Sequence, residues 1–369
     1  MIKVLHFYKT YYPDSFGGIE QVIFQLAEGS AKYEVESTVL SLTEHDTCID
    51  AIIASHKSHK IKADFSIASS PFSFKAMQVF KNLAKKADVI HYHFPWPYMD
   101  MVHFICKVNK PTIVSYHSDI VRQKKLLRLY SPLMHKFMSS VNTIVATSPN
   151  YVATSPVLKK YADKVRVIPI GIDQAGYVSP SNDALQAWRK KLPERFFLFI
   201  GTLRYYKGLH ILLEANAGKN YPVVIVGSGP IERQLQAQAE KMGLKNIFFL
   251  GALEDADKIA LLYLCFAMVF PSHLRSEAFG ISLLEGAMFS KPLISSEIGT
   301  GTSWINIHNE TGIVVPPSDP SALSLAMDSL WNDPAQAKIY GEHAYQRYCD
   351  LFTGDKMVSS YVHLYKSLI

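Results

Sequence analysis

Short apolar runs rich in β-branched residues alternate with longer helical patterns along the 369-residue chain. Continuous apolar strands separated by helices predict parallel sheets that are covered on both faces. We expect strands at residues 3–8, 36–42, 89–91, 112–116, 143–146 and 165–168, and then at 196–200, 223–226, 247–250, 267–270, 292–295 and 312–315. The chain is therefore predicted to be an α/β protein with two Rossmann-like domains that face each other across a cleft.

The length also favours two domains, because a single hydrophobic core rarely grows to this size. Residues 169–183 show little periodicity and contain Gly and Pro, which is typical of a linker. The final segment places Met357, Tyr361 and Leu364 on one helical face. The predicted organisation is a first domain at 1–172, a second at 173–355, and a C-terminal helix at 356–369 that crosses back to the first domain.

Several features bear on the cellular compartment. The four cysteines are scattered without C-x-x-C spacing, which disfavours a disulfide framework and a structural zinc site and favours a reducing compartment. The chain begins directly with a predicted strand, which leaves no room for a signal peptide, and no run approaches 18 apolar residues. We therefore expect a cytoplasmic protein.

Charge is distributed unevenly. Residues 1–172 contain 21 Lys/Arg and 13 Asp/Glu, whereas the remainder contains 17 and 19. A basic first half suggests an anionic partner, such as lipid headgroups, a phosphorylated acceptor or nucleic acid. The half lacks the interleaved aromatic residues and basic stripe of a strand-binding groove, which disfavours nucleic acid.

The segment 121–138 concentrates this basic charge on an amphipathic pattern. It mixes four cations with several leucines, and each cation near an anionic bilayer contributes roughly 1 kcal/mol to binding. The alternative is a helix with a solvated basic face. We favour peripheral contact with the inner face of the cytoplasmic membrane, made by Arg122, Lys124, Lys125 and Arg128.

Two loops that follow predicted strands carry candidate anion ligands. Gly17 and Gly18 precede a helical run, where glycine permits close approach of a ligand and the helix N-terminus offers free N–H groups. Arg204 and Lys207 lie three residues apart in G-T-L-R-Y-Y-K-G, and both can reach a diphosphate. By spacing alone, an ordinary loop and solvated charges are the favoured explanation of these residues.

The segment P-S-H-L-R-S-E-A-F-G-I-S-L-L-E carries two carboxylates on either side of a predicted helix start at Phe279-Gly280. Glu277 falls in the loop and Glu285 inside the helix, and carboxylates accept hydrogen bonds from sugar hydroxyls. The alternative is that Glu277 complements the helix dipole and that Glu285 is an exposed helix residue.

Histidines and paired acids raise the question of a metal site, which we answer in the negative. His91 and His93 are two residues apart without a nearby carboxylate or thiolate, so His93 is assigned to the acceptor side. Asp255-Ala-Asp257 precedes a helical run, where Asp is a favoured capping residue. In G-S-G-P-I-E the third glycine of a dinucleotide fingerprint is replaced by Glu232, which argues against a nicotinamide cofactor.

Taken in order, these motifs resemble the retaining glycosyltransferases of the GT-B fold, family 4, over essentially the whole chain. Single motifs are weak, but the ordered set is specific. The matching landmarks are P-x-x-x-G-G-I-E, strand-H-S-D, P-I-G-I-D, G-T-L-x-x-x-K-G, V-G-S-G-P, P-S-x(4)-E-A-F-G-x(4)-E and T-G-I-V-V-P-P.

The resemblance implies roles for individual residues. Arg204 and Lys207 hold the donor diphosphate, Glu285 binds the ribose, and Glu277 contacts the hydroxyls of the transferred sugar. Gly17 and Gly18 pack against phosphate and sugar, and His117 lies beside the reacting face of the sugar. The remaining assigned donor contacts are Phe279, Gly280 and Gly301.

The family retains anomeric configuration and generally needs no metal or other cofactor. This sequence departs from many relatives in the loop E-I-G-T-G-T-S-W, where they carry G-G-x-x-E, so Gly301 is assigned by position only. The whole sequence most resembles mannosyltransferases encoded in polysaccharide gene clusters. This resemblance implies GDP-mannose as donor and a polyprenol-linked glycan as acceptor in O-antigen synthesis. The alternatives are a UDP-sugar-dependent enzyme of the same fold and a non-catalytic sugar-nucleotide-binding scaffold.

Overall fold

The computed structural model describes residues 1–15, 17–45, 49–68, 70–120, 124–219 and 221–369. Within these residues the chain forms two compact units. The first unit contains residues 1–171 together with the C-terminal segment 354–369, and the second contains residues 172–353. The chain therefore leaves the first unit at Gly171 and re-enters it at Gly354.

An eight-stranded sheet organises the first unit, with the strand order β10-β9-β8-β7-β1-β2-β4-β3. All neighbouring pairs are parallel except β3 with β4. A separate antiparallel pair, β5–β6, lies beside it. The strands are β1 (Ile2–Phe7), β2 (Val35–Thr43), β3 (Ile49–Ile53), β4 (His56–Lys62), β5 (Phe65–Ile67), β6 (Ser70–Phe72), β7 (Val89–Phe94), β8 (Thr112–Tyr116), β9 (Thr143–Ala146) and β10 (Val165–Val167).

The second unit contains a six-stranded, fully parallel sheet in the order β13-β12-β11-β14-β15-β16. Successive residues of a strand point to opposite faces, and every residue of β11, β12, β14 and β15 is buried, so both faces of the sheet are covered. The strands are β11 (Phe197–Ile200), β12 (Val223–Val226), β13 (Ile247–Gly251), β14 (Ala267–Phe270), β15 (Leu293–Ser296) and β16 (Gly312–Val315).

Fifteen helices connect and flank these strands in the described residues. Several begin at a serine whose side chain accepts a hydrogen bond from the third helical amide, as at Ser73, Ser148 and Ser181. The helices are α1 (Gly18–Gly29), α2 (Phe74–Lys86), α3 (Pro97–Ile105), α4 (Lys124–Ser140), α5 (Pro149–Thr154), α6 (Pro156–Lys160), α7 (Asn182–Lys191), α8 (Leu209–Ala215), α9 (Glu232–Lys241), α10 (Asp255–Leu264), α11 (Ile281–Met288), α12 (Thr302–Ile305), α13 (Pro320–Asn332), α14 (Pro334–Leu351) and α15 (Gly354–Ser367).

The predicted fold class is confirmed: both units contain a predominantly parallel sheet with helical crossovers. All twelve expected strands are present, with shifts of a few residues at their ends. The apolar pattern missed four strands, β3, β4, β5 and β6. The longest of them, β4, has the sequence H-K-S-H-K-I-K. Its inward positions are polar, and two of them are paired: Lys60 donates to Asp14 at 2.6 Å and His56 contacts Glu28. A search for apolar runs does not find such a strand.

The C-terminal helix α15 belongs to the first unit. Its buried face carries Met357, Val358, Tyr361, Val362 and Tyr365. None of the helices formed by described residues has the length and apolar character needed to cross a bilayer.

Candidate functional site

The loops after β11, β14 and β15 carry most of the polar residues singled out in the second unit. These three strands are neighbours in a parallel sheet, so their carboxyl ends lie on one edge, where ligands bind in folds of this kind. Two glycines after β12 allow the loops to pack closely. A Cβ on Gly227 would lie 2.1 Å from the carbonyl oxygen of Gly201, and one on Gly229 would lie 2.4 Å from that of Leu203. The G-x-G spacing therefore has a packing role.

Lys207 and Glu277 form a buried ion pair at this edge. The Lys207 ammonium contacts the Glu277 carboxylate, which also accepts a hydrogen bond from the Ser272 hydroxyl at 3.3 Å. The ammonium lies 4.6 Å from the centroid of the Phe270 ring. Each side chain is 11% exposed, so the pair is largely removed from water but not fully enclosed. Such a pair is held only because each charge has the other as a partner.

Arg204 differs from Lys207 although the two share one loop. Its side chain is exposed and makes no hydrogen bond or ion pair to any residue in the described part of the chain. Its guanidinium is therefore available to an anionic ligand at the same edge of the sheet.

Phe279 and Gly280 lead into helix α11, and Gly301 is the N-cap of α12. Gly280 has φ +99°, a left-handed conformation that glycine adopts without strain. Gly301 packs against Phe279: an added Cβ would lie 2.4 Å from Cδ2 of the ring. The amide of Gly301 donates to the carbonyl of Ala278 at 2.9 Å, which fastens the loop after β15 to the loop after β14.

Glu285 lies on the second turn of α11 and is buried. Its carboxylate accepts a hydrogen bond from the Tyr177 hydroxyl at 2.8 Å and pairs with the Lys258 ammonium at 3.2 Å. Burial and the Glu285 charge raise the pKa of Tyr177 above its usual range. Burial alone would lower the pKa of Lys258, but Glu285 and Asp255 outweigh it and raise that pKa.

Sequence reasoning missed both partners of Glu285. Tyr177 lies in the stretch interpreted as a linker, and Lys258 begins the run beyond the Asp-x-Asp pair. The i,i+3 spacing of Asp255 and Lys258 was the available signal, and their side chains are 3.0 Å apart. The capping interpretation of the Asp pair was wrong in detail. Helix α10 begins at Asp255 with Glu254 as its N-cap, and Asp257 accepts a hydrogen bond from the Trp188 indole at 2.8 Å.

In the first unit, Gly17 and Gly18 lie at the start of α1 and are exposed. The Glu20 carboxylate folds back over this turn and accepts hydrogen bonds from Thr10 at 2.7 Å and Ser15 at 3.0 Å. A Cβ on Gly17 would lie 2.8 Å from that carboxylate, so the turn has little space for a side chain.

His117 follows β8, and its amide donates to the carbonyl of Phe94 at 3.1 Å. Its Nε2 lies 3.0 Å from Nδ1 of His93. Burial lowers the pKa of His117 to about 3, so the ring is neutral at ordinary pH. His93 is completely buried beneath it and has no exposed surface to offer an acceptor or a lipid. This corrects the expected placement of His93, because every residue of β7 is buried, so neither face of the strand reaches the surface.

The basic segment is only partly described. Arg122 lies outside the described residues, and the side chains of Lys124 and Lys125 are likewise not described. Helix α4 exposes Arg128 together with Leu126 and Leu129, the latter 80% exposed. Exposed leucines beside a cation are the composition expected of a helix that lies on a bilayer surface.

Two family models match the chain, one in each half. The description "Glycosyltransferase Family 4" covers residues 16–175, and "Glycosyl transferases group 1" covers residues 181–347. The combination of two parallel-sheet units with these two matches defines a glycosyltransferase of the GT-B fold.

Similarity to individual proteins extends over the full length. The chain is 57% identical to the D-rhamnosyltransferase WbpZ of Pseudomonas aeruginosa, covering 95% of this chain and 92% of that protein. It is 50% identical to the O-antigen chain mannosyltransferase C of Escherichia coli, covering 100% and 99%. The chain therefore belongs to glycosyltransferase family 4 and is a hexosyltransferase, as the sequence motifs predicted.

Solved structures support the fold. A sucrose-phosphate synthase from Thermosynechococcus elongatus superposes with a TM-score of 0.83 at 21% identity, covering 100% of this chain and 99% of that chain. Anabaena HepE in complex with UDP and glucose gives 0.78 at 18% identity, with both chains covered completely.

Proposed function

We propose that this hexosyltransferase transfers mannose from GDP-mannose, with retention of anomeric configuration, to a lipid-linked oligosaccharide in bacterial O-antigen synthesis. The observation that carries the proposal is the buried Lys207–Glu277 pair at the carboxyl edge of the second sheet. A lysine and a carboxylate held together there supply what a sugar diphosphate requires, a cation for the phosphates and an acceptor for sugar hydroxyls.

The leaving group sets the electrostatic demand. Cleavage of the bond between sugar and phosphate develops negative charge on the diphosphate and positive character on the sugar. Lys207 and the exposed Arg204 are placed to offset the first charge, and the Glu277 carboxylate the second. In this proposal the protein's own cations do the work of charge stabilisation and no metal is required.

Glu285 takes the ribose in this proposal. Its carboxylate already accepts from Tyr177 and pairs with Lys258, which fixes its orientation before a nucleotide binds. A carboxylate with two oxygens can keep the lysine and accept from a ribose hydroxyl as well. Tyr177 and Lys258 are thus added to the proposed donor site.

From the first unit, we propose that Gly17 and Gly18 approach the phosphates and that His117 contacts the transferred sugar. Both assignments follow the family motifs. His117 is the member of its buried histidine group with residual exposure, 7%, and its ring is neutral. A neutral imidazole beside the sugar avoids placing a full positive charge against a developing oxocarbenium ion.

Two relatives bear on the sugar. One is named for transfer of mannose and the other for transfer of D-rhamnose, which is 6-deoxymannose. A donor with manno configuration is common to both. D-rhamnose, carried on the same nucleotide, is therefore the second candidate for the transferred sugar, and UDP-linked hexoses and a non-catalytic scaffold are the remaining alternatives.

The proposed acceptor is a polyprenol-linked glycan at the inner membrane surface. Support comes from the O-antigen name of one relative and from the basic first half of the chain. The exposed Leu126, Arg128 and Leu129 on α4 are the described part of the proposed lipid contact.

The test is a panel of sugar nucleotides with EDTA or with Mg²⁺, scored by thermal shift and by transfer to a synthetic lipid-linked mannoside or N-acetylglucosaminide. We expect stabilisation and turnover with GDP-mannose in EDTA, and product whose anomeric proton shows retention. Lys207→Met should abolish most turnover, whereas Lys219→Met, which removes an exposed lysine paired with Asp328, should not.

Each alternative predicts a different result. Turnover with GDP-D-rhamnose alone would identify D-rhamnose, not mannose, as the transferred sugar, and turnover with a UDP-sugar would identify UDP as the nucleotide. A requirement for Mg²⁺ would contradict the proposed metal independence. Nucleotide binding without transfer to any acceptor would favour the scaffold.

A further inference from the structure

Three histidines of the first unit form a hydrogen-bonded line that ends at His117. His6 Nδ1 lies 3.2 Å from His93 Nε2, and His93 Nδ1 lies 3.0 Å from His117 Nε2. His6 and His93 are completely buried, and His117 is 7% exposed. The line therefore connects the interior of the sheet with the one ring that reaches its surface.

Strand register explains why these rings meet. His6 of β1 is opposite His91 of β7, and His93 of β7 is opposite Ser115 of β8. Residues two apart share a face of a sheet, so all four side chains point the same way, and His117 continues the series beyond β8. The line is built by backbone pairing rather than by flexible loops.

Counting protons leaves few arrangements. Each neutral imidazole has one N–H, and each of the two contacts requires one N–H and one bare nitrogen. If His93 is protonated on Nδ1, it donates to His117, which must then carry its proton on Nδ1, while His6 donates through Nδ1. If His93 is protonated on Nε2, all three tautomers reverse. The tautomers of the three rings are therefore coupled.

The inner end of the line selects between the two. His6 Nε2 is buried and has no hydrogen-bond partner among the residues that the structure describes. A buried N–H without an acceptor is rarer in proteins than an acceptor left without a donor. The arrangement with a bare His6 Nε2 is favoured, and it gives His117 an N–H at Nδ1. Burial lowers the pKa of each ring, so the neutral count applies.

A metal site is the competing interpretation, because one ring nitrogen from each of His6, His91 and His93 can be chosen within 4.8 Å of the others. The hydrogen bonds argue against it. His91 uses both nitrogens, at 2.7 Å from the Ser115 hydroxyl and 2.8 Å from the Tyr365 hydroxyl. Both nitrogens of His93 and Nδ1 of His6 are also engaged. One remaining nitrogen, His6 Nε2, does not make a metal site.

We infer that His6 and His93 are positioning residues that lock His117 in the tautomer protonated on Nδ1. His117 then presents a hydrogen-bond donor, not a base, at the nitrogen that is free of protein partners in the described residues. This rests on the proposed function only in its consequence, which is that His117 donates to an oxygen of the bound sugar and removes no proton from it. Both nitrogens of His93 are needed to transmit the preference of His6.

The tautomers are measured directly by nitrogen-15 NMR of histidine side chains in the full chain, without any substrate. We expect His117 to be protonated on Nδ1 and bare on Nε2, with a scalar coupling across the hydrogen bond to His93. In His93→Leu that coupling disappears and both tautomers of His117 become populated. His93→Gln, which can still donate through its amide, restores the wild-type tautomer in part.

His91→Gln is the matched control, because it removes an equally buried imidazole from the same stack but lies outside the line. The His117 tautomer should not change in it. A His117 protonated on Nε2 in the wild type, or an unchanged tautomer in His93→Leu, overturns the inference. So does a shift of the His6, His91 and His93 signals on addition of one equivalent of Zn²⁺.

Activity is a separate readout. With a working donor, His93→Leu should lower kcat about tenfold, the worth of one hydrogen bond of about 1.4 kcal/mol, and change the donor KM less than twofold. His93→Gln should recover part of kcat. Absence of turnover in the wild type would refute the proposed function and leave the NMR result standing, so the two failures are distinguishable.

Discussion

The two units contain the same kind of parallel sheet but place different chemistry at its carboxyl edge. In the second unit the polar groups are charged and paired in advance, as in Lys207 with Glu277 and Lys258 with Glu285. In the first unit the groups hydrogen-bonded in the histidine stack beneath His117 are imidazoles and hydroxyls, and burial lowers the pKa of the rings; the carboxylates of Glu20 and Asp119 lie outside that stack. In the function that we propose, this difference corresponds to holding a diphosphate in the second unit and contacting an uncharged sugar in the first.

Among substitutions that remove a carboxylate charge from the second unit's site, we expect Glu277→Gln to reduce transfer activity most. Glu277→Gln keeps the shape but leaves Lys207 as a buried, unpaired cation, and we expect transfer to fall about 10²–10³-fold, the scale seen when one charge-stabilising group is removed. Steady-state transfer with saturating donor measures this.

Glu342→Gln is the control, because that carboxylate is exposed and its ion pair with Lys338 is long, at 3.8 Å. Transfer within twofold of wild type in Glu277→Gln would remove Glu277 from the proposed site.

The next largest effect is that lowering the pH should destabilise the first unit more than the second. Burial lowers the pKa of His6 and His117 to about 3, so these rings are neutral when folded but titrate near 6.5 when unfolded. The unfolded state binds more protons below pH 6.5, so stability is fully present above that pH and is lost as pH falls toward 3. Between pH 6.5 and 5 the loss is on the order of 3 kcal/mol.

Hydrogen exchange resolves this by segment. The opening free energy of amides in β1 and β7 should fall with pH more steeply than that in β11 and β14. In the second unit burial also lowers the pKa values of His273 and of His210, the latter only partly buried. Equal slopes in the two units would contradict the contrast.

Glu285→Gln sharpens the comparison within the donor site. Losing the charge weakens the contact with a ribose and with Lys258, and a hydrogen bond to a charged group is worth roughly 1.5–3 kcal/mol, so the donor KM should rise about 10–100-fold. Tyr177→Phe removes a single neutral donor to Glu285 and should have a smaller effect.

Donor KM and kcat measured separately test this. Glu240→Gln, at an exposed position of α9, is the matched control. A change in kcat alone would place Glu285 with the reacting groups instead of the nucleotide.

The smallest expected effect concerns the basic surface. Arg128→Gln should weaken partitioning onto vesicles that contain anionic phosphatidylglycerol about fivefold, since each cation contributes roughly 1 kcal/mol. Arg189→Gln, an exposed substitution in the second unit, is the control and should leave partitioning unchanged. Equal binding of both variants, or binding insensitive to salt, would argue against a lipid contact by α4.

The sequence by itself determined the fold class, twelve of the sixteen strands formed by the described residues, and the family, because apolar strands at regular spacing and short motifs in a fixed order are local properties. It missed β3, β5 and β6, and it missed β4, whose inward positions are polar, including Lys60 paired with Asp14. It also missed Tyr177, because a partner 108 residues away from Glu285 in sequence leaves no local pattern. It missed Lys258 as well, for which the i,i+3 spacing from Asp255 was the local signal.

Only the tertiary structure decided the state of the charged and histidine side chains. Lys207 and Glu277 are 70 residues apart, and nothing in either segment shows that they pair with each other. The interpretation of His93 changed for the same reason. Pairing of β1, β7 and β8 removes its ring from water and places it between His6 and His117. Burial and hydrogen-bond partners set protonation and tautomer, and both depend on strands brought together from distant parts of the chain.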